Sequence, residues 1–411
     1  MMSTHAGCSD LAAATGIYLT DVRAKREPYD LLARLREEDP VHLSAAGTWI
    51  ISGYDLALSV LRDTRFSRAA ATERDIEVLF EPSDAAEIFW HKTVNREGDD
   101  HSRLRRILAP AFSPRAVERW RPFIEKMVDE VFDKLEPRHQ CDIVTDLAYP
   151  IPEHVICAML GVPPEHHKLF EQWTRVLTDR PAAGEGDDDR RRAHTAALTA
   201  FVDYLRGLVE SRRDNLSDDL VSQLITLEEE GERLNDKELI AVMIEVITGG
   251  HDTTANSIVN GVFMLLRYPE QLERLVENRS LVSSAVEEIL RHPTPVQLTL
   301  TRVTTEDVTI EGVTIPARST VVVCLSGANR EPERFADPDT FDIGREDNRH
   351  LTFGNGSHFC LGAHLARAEL QVTFDRIATR LPGLHMTADV EALPWRTSAL
   401  VTAPARLPVA W

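Results

Sequence analysis

HLTFGNGSHFCLGAHLARAEL, His350 to Leu370, places Cys360 between a glycine-rich loop and the start of a helical stretch. A helix N-terminus favours a thiolate through its unpaired N–H groups and its dipole, and the thiolate is the nucleophilic and metal-binding form of cysteine. Gly354 and Gly356 let the loop fold tightly with its amides toward the sulfur, Gly362 leaves room for something flat at the helix start, and Phe353 can screen that face from water. Taken alone, a cysteine before a helix is more often a packed core thiol. The full spacing of Phe353, Gly354, Gly356, His358, Cys360 and Gly362 is far more demanding, and it points to a ligating sulfur.

The surrounding chain bounds what that sulfur can serve. With 411 residues, 43% hydrophobic and 27% charged, it is long enough to bury a large core and an internal ligand. No linker and no fixed-period repeat divides it, so one domain over residues 21–411 is expected, preceded by a disordered N-terminus at 1–20. The opening MMSTHAGCSDLAAATG has neither the basic start nor the apolar run of a signal peptide, and no stretch reaches the length of a membrane span. A cytoplasmic, unanchored, monomeric protein is the expectation. Five widely spaced cysteines with no CxxC pair argue against a disulfide framework or a structural zinc site. A net charge of −20 argues against nucleic acid as a partner. Within that acidic chain, residues 101–121 hold six arginines (103, 105, 106, 115, 119 and 121) and one acid, Glu118. This is either a solvated helix face or a docking patch for an acidic partner.

Helical periodicity covers 101–134, 152–161, 165–178, 191–213, 235–267, 281–292 and 360–381, and strand signals cluster at 41–54 and 308–326. The fold class is mainly α with small β-sheets. Residues 69–98 and 179–189 read as long loops, candidates for the walls or lid of a pocket.

A second constellation, EVITGGHDTTANS (Glu245 to Ser257), lies inside the longest helical stretch. Adjacent glycines cost a helix about 1 kcal/mol each relative to alanine, so Gly249 and Gly250 need a reason. Thr253, four residues after Gly249, can bond the Gly249 carbonyl in place of the regular ladder and leave a groove. Asp252 beside it is a short acid able to relay protons. Elsewhere, Glu288 and Arg291 have ion-pair spacing on a helix, for which a surface pair is the default. His101 and Arg105 share a helix face, and Arg302 opens a strand-like segment.

Together these motifs resemble the cytochromes P450 in order and spacing over roughly residues 30–411. The resemblance implies the P450 fold around a buried haem b, with Cys360 as the axial thiolate and Phe353 and Gly354 part of the loop that wraps it. It implies that His101, Arg105, Arg302 and His358 bind the haem propionates. It gives Asp252 and Thr253 proton delivery to dioxygen, and it makes Glu288, Arg291 and Arg345 a structural brace. Two departures stand out: Gly98-Asp99-Asp100 precedes His101 where bacterial members usually have a proline pair, and glycine replaces the commoner alanine at 249. The implied enzyme is a monooxygenase that hydroxylates or epoxidises a small hydrophobic molecule of specialised metabolism, such as a macrolide or polyketide, a terpenoid or a peptide-derived compound. Nothing in the chain resembles a flavin or nicotinamide site, so electrons are expected from a ferredoxin and its ferredoxin reductase, with the arginine island as the docking patch. A peroxide-dependent or non-oxygenating enzyme of the same fold often lacks the acid–threonine pair, and a haem-based sensor would need residues the chain does not have left over.

Substrate candidates are Glu245 and Gly249, on one stripe with Thr253, together with Val296, Leu298 and Thr299; the segment 397–400 matches a further pocket region of the family. Six acids between residues 71 and 90, with Glu245, would form an acidic roof and wall suited to an amine-bearing substrate. The other reading leaves the loop acids solvated and has Glu245 bonding a neighbouring helix.

Overall fold

A computed structural model describes residues 11, 13–16, 18, 26–178, 188–229, 232–396 and 401–411. The expectation for 397–400 and most of the 179–189 loop lie outside these residues. Of the N-terminal stretch expected to be disordered, Leu11, Thr15 and Tyr18 are described, and all three are buried.

The core is organised on the helix Asp236–Arg267, 32 residues long. It starts at a capping box: Asn235 accepts from the Glu238 amide and Glu238 accepts from the Asn235 amide, both at 3.0 Å. It stops before Pro269, whose ring suits the first turn of the next helix. Apolar residues surround its length, so it is buried rather than amphipathic. The helices Asp84–Trp90, Pro150–Met159, Val282–Arg291 and Ala363–Arg380 pack around it.

A five-stranded sheet lies to one side, in the order Val41–Leu43, Thr48–Ile51, Thr320–Val323, Arg302–Thr304 and Phe66–Ser67. Its pairing of Phe66 with Thr304 and Ser67 with Val303 sets Arg302 beside the start of the next helix. The hairpin expected at 41–54 is present. The 308–326 stretch divides: Val308–Ile310 and Val313–Ile315 form a separate hairpin, while Thr320–Val323 joins the large sheet. The tight turn has both central residues at positive φ, Glu311 at 49° and Gly312 at 77°, as a two-residue turn between twisted strands requires.

Two expectations are corrected. The stretch 101–134 is two helices, Gly98–Leu108 and Pro114–Leu135, because Ser113 caps the second by accepting from the Ala116 amide and Pro114 occupies its first turn. The long loop at 69–98 is mostly helical: Arg68–Leu79 is capped by Ser67, Asp84–Trp90 by Ser83, and a 3-10 turn follows at Thr93–Asn95. Alanine-rich sequence behind each serine was the available signal, outweighed in the reading by the run of acids.

Candidate active site

The long helix, the loop before Ala363–Arg380 and the sheet edge at Arg302 enclose a cavity of about 360 Å³. On one wall is the Cys360 loop. Gly354 and Gly356 have φ of 70° and 73°, and a Cβ at Gly356 would stand 2.6 Å from the Leu61 carbonyl oxygen, so the loop closes only with glycine there. The Cys360 amide donates to the Phe353 carbonyl at 2.9 Å, which folds the loop under the sulfur. Phe353 is gripped from behind, with the Arg367 guanidinium 4.5 Å from its ring. A Cβ at Gly362 would meet nothing within 4 Å, so space is left at the helix start.

Cys141, Cys157 and Cys324 are buried among side chains, whereas Cys360 opens into the cavity. Burial raises the Cys360 thiol; the Gly362 amide and the Arg105 charge work the other way, toward a thiolate.

Beyond the sulfur lies a basic rim. His101, Arg105, Arg302 and His358 all line the cavity, and so does Arg68, which the sequence reading missed. Arg105 donates to the Phe359 carbonyl and Arg302 to the Phe66 carbonyl, each at 2.9 Å, yet neither makes an ion pair with a described acidic residue. The His101 and His358 rings lie 4.4 Å apart. Burial and then the cations around it, His101, Arg302, Arg68 and Arg105, push His358 down to about 3. Two guanidiniums at the rim, Arg105 and Arg302, that meet no described acid at ion-pair distance suit an anionic group. An apolar cavity with a thiol on its floor and cations at its rim fits haem, a flat macrocycle with an iron and two carboxylates. Among the described residues no cluster of three or more His, Cys, Asp and Glu could hold a metal ion.

The expected brace lies behind the sulfur. Arg291 donates to Glu288 at 2.7 and 2.8 Å, Arg345 stands 3.2 Å from Glu288, and the Glu288 and Arg291 side chains have no solvent exposure. Arg291 also donates to the carbonyls of Asn329, Pro338 and Thr340. A second pair is adjacent: Glu287 accepts twice from Arg367, at 2.7 and 2.8 Å, and His350 lies 3.1 Å away. Burial alone would raise the Glu287 carboxyl, but Arg367 and His350 outweigh it and hold it near 2.

On the opposite wall, the Thr253 hydroxyl donates to the Gly249 carbonyl at 2.6 Å, as the sequence spacing suggested, and both residues line the cavity. Gly249 has open space where a Cβ would be; a Cβ at Gly250 would stand 2.8 Å from Ile156. One glycine is needed by the cavity and the other by a neighbouring helix. Asp252 does not line the cavity. Its carboxylate accepts from Tyr149 at 2.7 Å and Arg396 at 2.8 Å, and lies 3.3 Å from the Asn256 amide. Burial pushes it up to about 6, against the Asn256 bond, which favours the charged form. Tyr149 and Arg396 lie 103 and 144 residues from Asp252 in sequence, and no local pattern signals them.

Of the substrate candidates, Glu245, Gly249, Val296 and Thr299 line the cavity. Leu298 does not: it forms an isolated bridge with Cys324 and packs toward Leu11 and Tyr18, on the far face of its extended segment. The amine-binding reading of Glu245 is also corrected. Its carboxylate accepts from the Thr93 amide at 2.7 Å and the Val94 amide at 3.1 Å. Of the acids between residues 71 and 90 whose side chains are described, Glu73, Glu81, Asp84 and Glu87, none lines the cavity, and Asp84 and Glu87 pair with Lys237 on the surface; Asp75 and Glu77 lie outside the described side chains. Glu369, missed in the sequence, does line it; burial pushes that carboxyl up to about 8.

The fold and the site thus define a helical protein built to hold an anionic, thiolate-ligated prosthetic group. Comparison with known proteins agrees. The family profile of cytochrome P450 matches residues 21–381. Cytochrome P450 107B1 of Saccharopolyspora erythraea is 37% identical over 394 residues, covering 93% of this chain and 95% of that protein. Nocardicin C N-oxygenase of Nocardia uniformis subsp. tsuyamanensis is 38% identical over 365 residues, covering 88% and 89%. The crystal structure of CalO2 superposes with a TM-score of 0.89 at 32% identity, covering 95% of this chain and 97% of that one. The chain belongs to the cytochrome P450 family and is a monooxygenase that uses haem, a small-molecule substrate and redox partners. Among the described residues no helix is long and apolar enough to cross a membrane.

Proposed function

We propose that this monooxygenase inserts one oxygen atom of dioxygen into a C–H or C=C bond of a small hydrophobic specialised metabolite, using haem b and electrons from a ferredoxin and its reductase. The observation that carries the reading is Cys360 facing an apolar cavity whose rim holds Arg105 and Arg302 without acidic partners. Haem, when bound, supplies the oxygen activation, and a thiolate ligand favours O–O cleavage. Cys360 is the residue that would ligate the iron; Phe353 and Gly354 shape the loop beneath it. Arg105, Arg302, His101 and His358, with Arg68, would hold the propionates.

Proton supply falls to Thr253 and Asp252. The Thr253 hydroxyl donates its proton to the Gly249 carbonyl and keeps its oxygen lone pairs at the cavity wall; releasing that bond turns it into a donor, and the diverted carbonyl leaves a groove for water. Asp252 sits behind it, poised near 6, in contact with Tyr149 and the partly exposed Arg396. A rotation of its side chain would pass a proton from that network toward Thr253. Presence of this pair favours dioxygen over peroxide as oxidant. Glu288, Arg291 and Arg345 act structurally, fixing the wall that carries the sulfur.

Relatives support the substrate class: beside Nocardicin C N-oxygenase, the matches include Cytochrome P450 monooxygenase PikC and Polyketide biosynthesis cytochrome P450 PksS. Val296, Thr299 and Gly249 offer mostly apolar contact to such a molecule. The exposed Arg106, Arg115 and Arg119 suit docking of an acidic ferredoxin to a monomer in the cytoplasm.

Absorbance of the reduced protein under carbon monoxide tests the reading. A strongly red-shifted Soret band is expected, and Cys360→Ser should abolish it together with turnover. A histidine-type band, or none, would overturn the assignment. Candidate metabolites can then be ranked by the spin-state shift they cause, and ferredoxin-dependent oxygen consumption separates a monooxygenase from a peroxide user.

A further inference from the structure

The 3-10 turn Thr93–Asn95 forms part of the cavity wall through Thr93 and Val94. Lys92, at its N-terminal cap position, provides no side-chain cap. The first N–H groups of such a turn have no partner within it. Glu245 takes up both, from the long helix and about 150 residues along the chain: Oε2 accepts from Thr93 and Oε1 from Val94. Each carboxylate oxygen therefore holds one backbone amide of the turn. Lys92, itself buried, adds a positive charge nearby, and burial otherwise raises the Glu245 carboxyl. The rest of the wall is anchored separately. Asn95 donates to the Phe89 carbonyl and accepts from Thr72, both at 3.0 Å, and Glu97 accepts from the Ser67 hydroxyl and the Arg68 amide, each at 2.6 Å.

From this we infer that Glu245 is a positioning residue that ties the Thr93–Val94 wall to the long helix, and so sets the shape of the cavity instead of binding the substrate's charge. Gly249 and Thr253 lie on the same helical stripe, one and two turns further on. The tether thus fixes the spacing between the wall and the Thr253 hydroxyl. A substrate amine that drew the Glu245 carboxylate toward itself would strain or break its bonds to two amides that have no other acceptor in the turn, an unfavourable exchange. The inference rests on reading the cavity as the substrate site, but its first readout does not depend on catalysis.

Two variants of the holoenzyme test it. Glu245→Gln keeps the reach but turns an NH2 group toward one of the two amides; Glu245→Asp keeps the charge but is one methylene too short. In both, hydrogen exchange at the Thr93 and Val94 amides should quicken about tenfold, with the carbon monoxide spectrum unchanged. Azole probes supply the second readout: phenylimidazole binding should weaken relative to imidazole, which occupies only the iron side. Exchange within about twofold of the parent in both variants would overturn the tether. Faster exchange with unchanged azole selectivity would overturn its role in shaping the cavity. Selective loss of an amine-bearing phenylimidazole without faster exchange would restore the charge-binding role. If the parent lacks the thiolate-type carbon monoxide band, the functional reading fails instead, and the exchange result still decides the tether.

Discussion

The two walls of the cavity are built on opposite terms. Behind Cys360, every charge is neutralised at short range: Glu288 meets Arg291 and Arg345, Glu287 meets Arg367 and His350, and Arg291 spends its remaining donors on backbone carbonyls. Facing it, the long helix carries two adjacent glycines, diverts the Gly249 carbonyl to a side-chain hydroxyl, and turns the Asp252 carboxylate away from the cavity. A wall that must hold one sulfur at one place gains from saturated contacts. A wall that lines a ligand cavity gains instead from groups whose bonds can be exchanged.

The sharpest way to break this contrast is to unbalance the brace. Arg291→Met should leave Glu288 buried short of a partner and lower stability by about 3–5 kcal/mol, read by thermal unfolding and by the rate of haem loss. A change under about 1 kcal/mol would mean that the proximal wall is not held by this network. On the facing wall, Thr253→Val keeps the shape and removes the hydroxyl. Product per electron consumed should fall about 10²-fold while stability stays close to the parent's; undiminished coupling would remove Thr253 from proton delivery.

A smaller effect is expected at Glu287. Its folded carboxyl lies near 2 against an ordinary 4.5, so its contribution is present above pH 4.5 and is lost as pH falls toward 2. Glu287→Gln should therefore cost about 2 kcal/mol at pH 7 and progressively less below pH 4.5 in parallel unfolding curves. A pH-independent difference would contradict the pairing with Arg367 and His350. The mildest prediction concerns the outer surface. Arg106→Glu or Arg115→Glu should slow reduction by ferredoxin about tenfold at low salt and leave the substrate spin shift untouched. Unchanged reduction kinetics would release the arginine island from any docking role.

Legibility in the sequence followed the distance over which each feature is set. The Thr253–Gly249 bond and the Glu288–Arg291 pair span one helical turn, and both were readable from spacing. Gly354 and Gly356 likewise announced a tight loop around the sulfur. Spacing alone did not decide partners remote in the chain. Glu245 was open to two readings, an acid for a substrate amine or a partner of a neighbouring helix, and its actual partners, two backbone amides, leave no mark in composition. Leu298 sat in the right segment but on its outer face, and the register against Cys324 is a tertiary fact. Stretch 69–98 reads as loop, yet Ser67 and Ser83 cap two helices there, each cap a single residue set against a short run.

By itself, then, the sequence determined a mainly helical fold, a tight glycine loop around Cys360 and a hydroxyl paired with Gly249, since these depend on local geometry and on residue types few other sites need. Tertiary structure decided which cations remain without counter-ions at the cavity rim, that Asp252 faces Tyr149 and Arg396, and that Glu245 holds a wall. Each of these depends on burial and on partners more than 100 residues away, and a side chain's charge acquires its role only from the groups that folding brings against it.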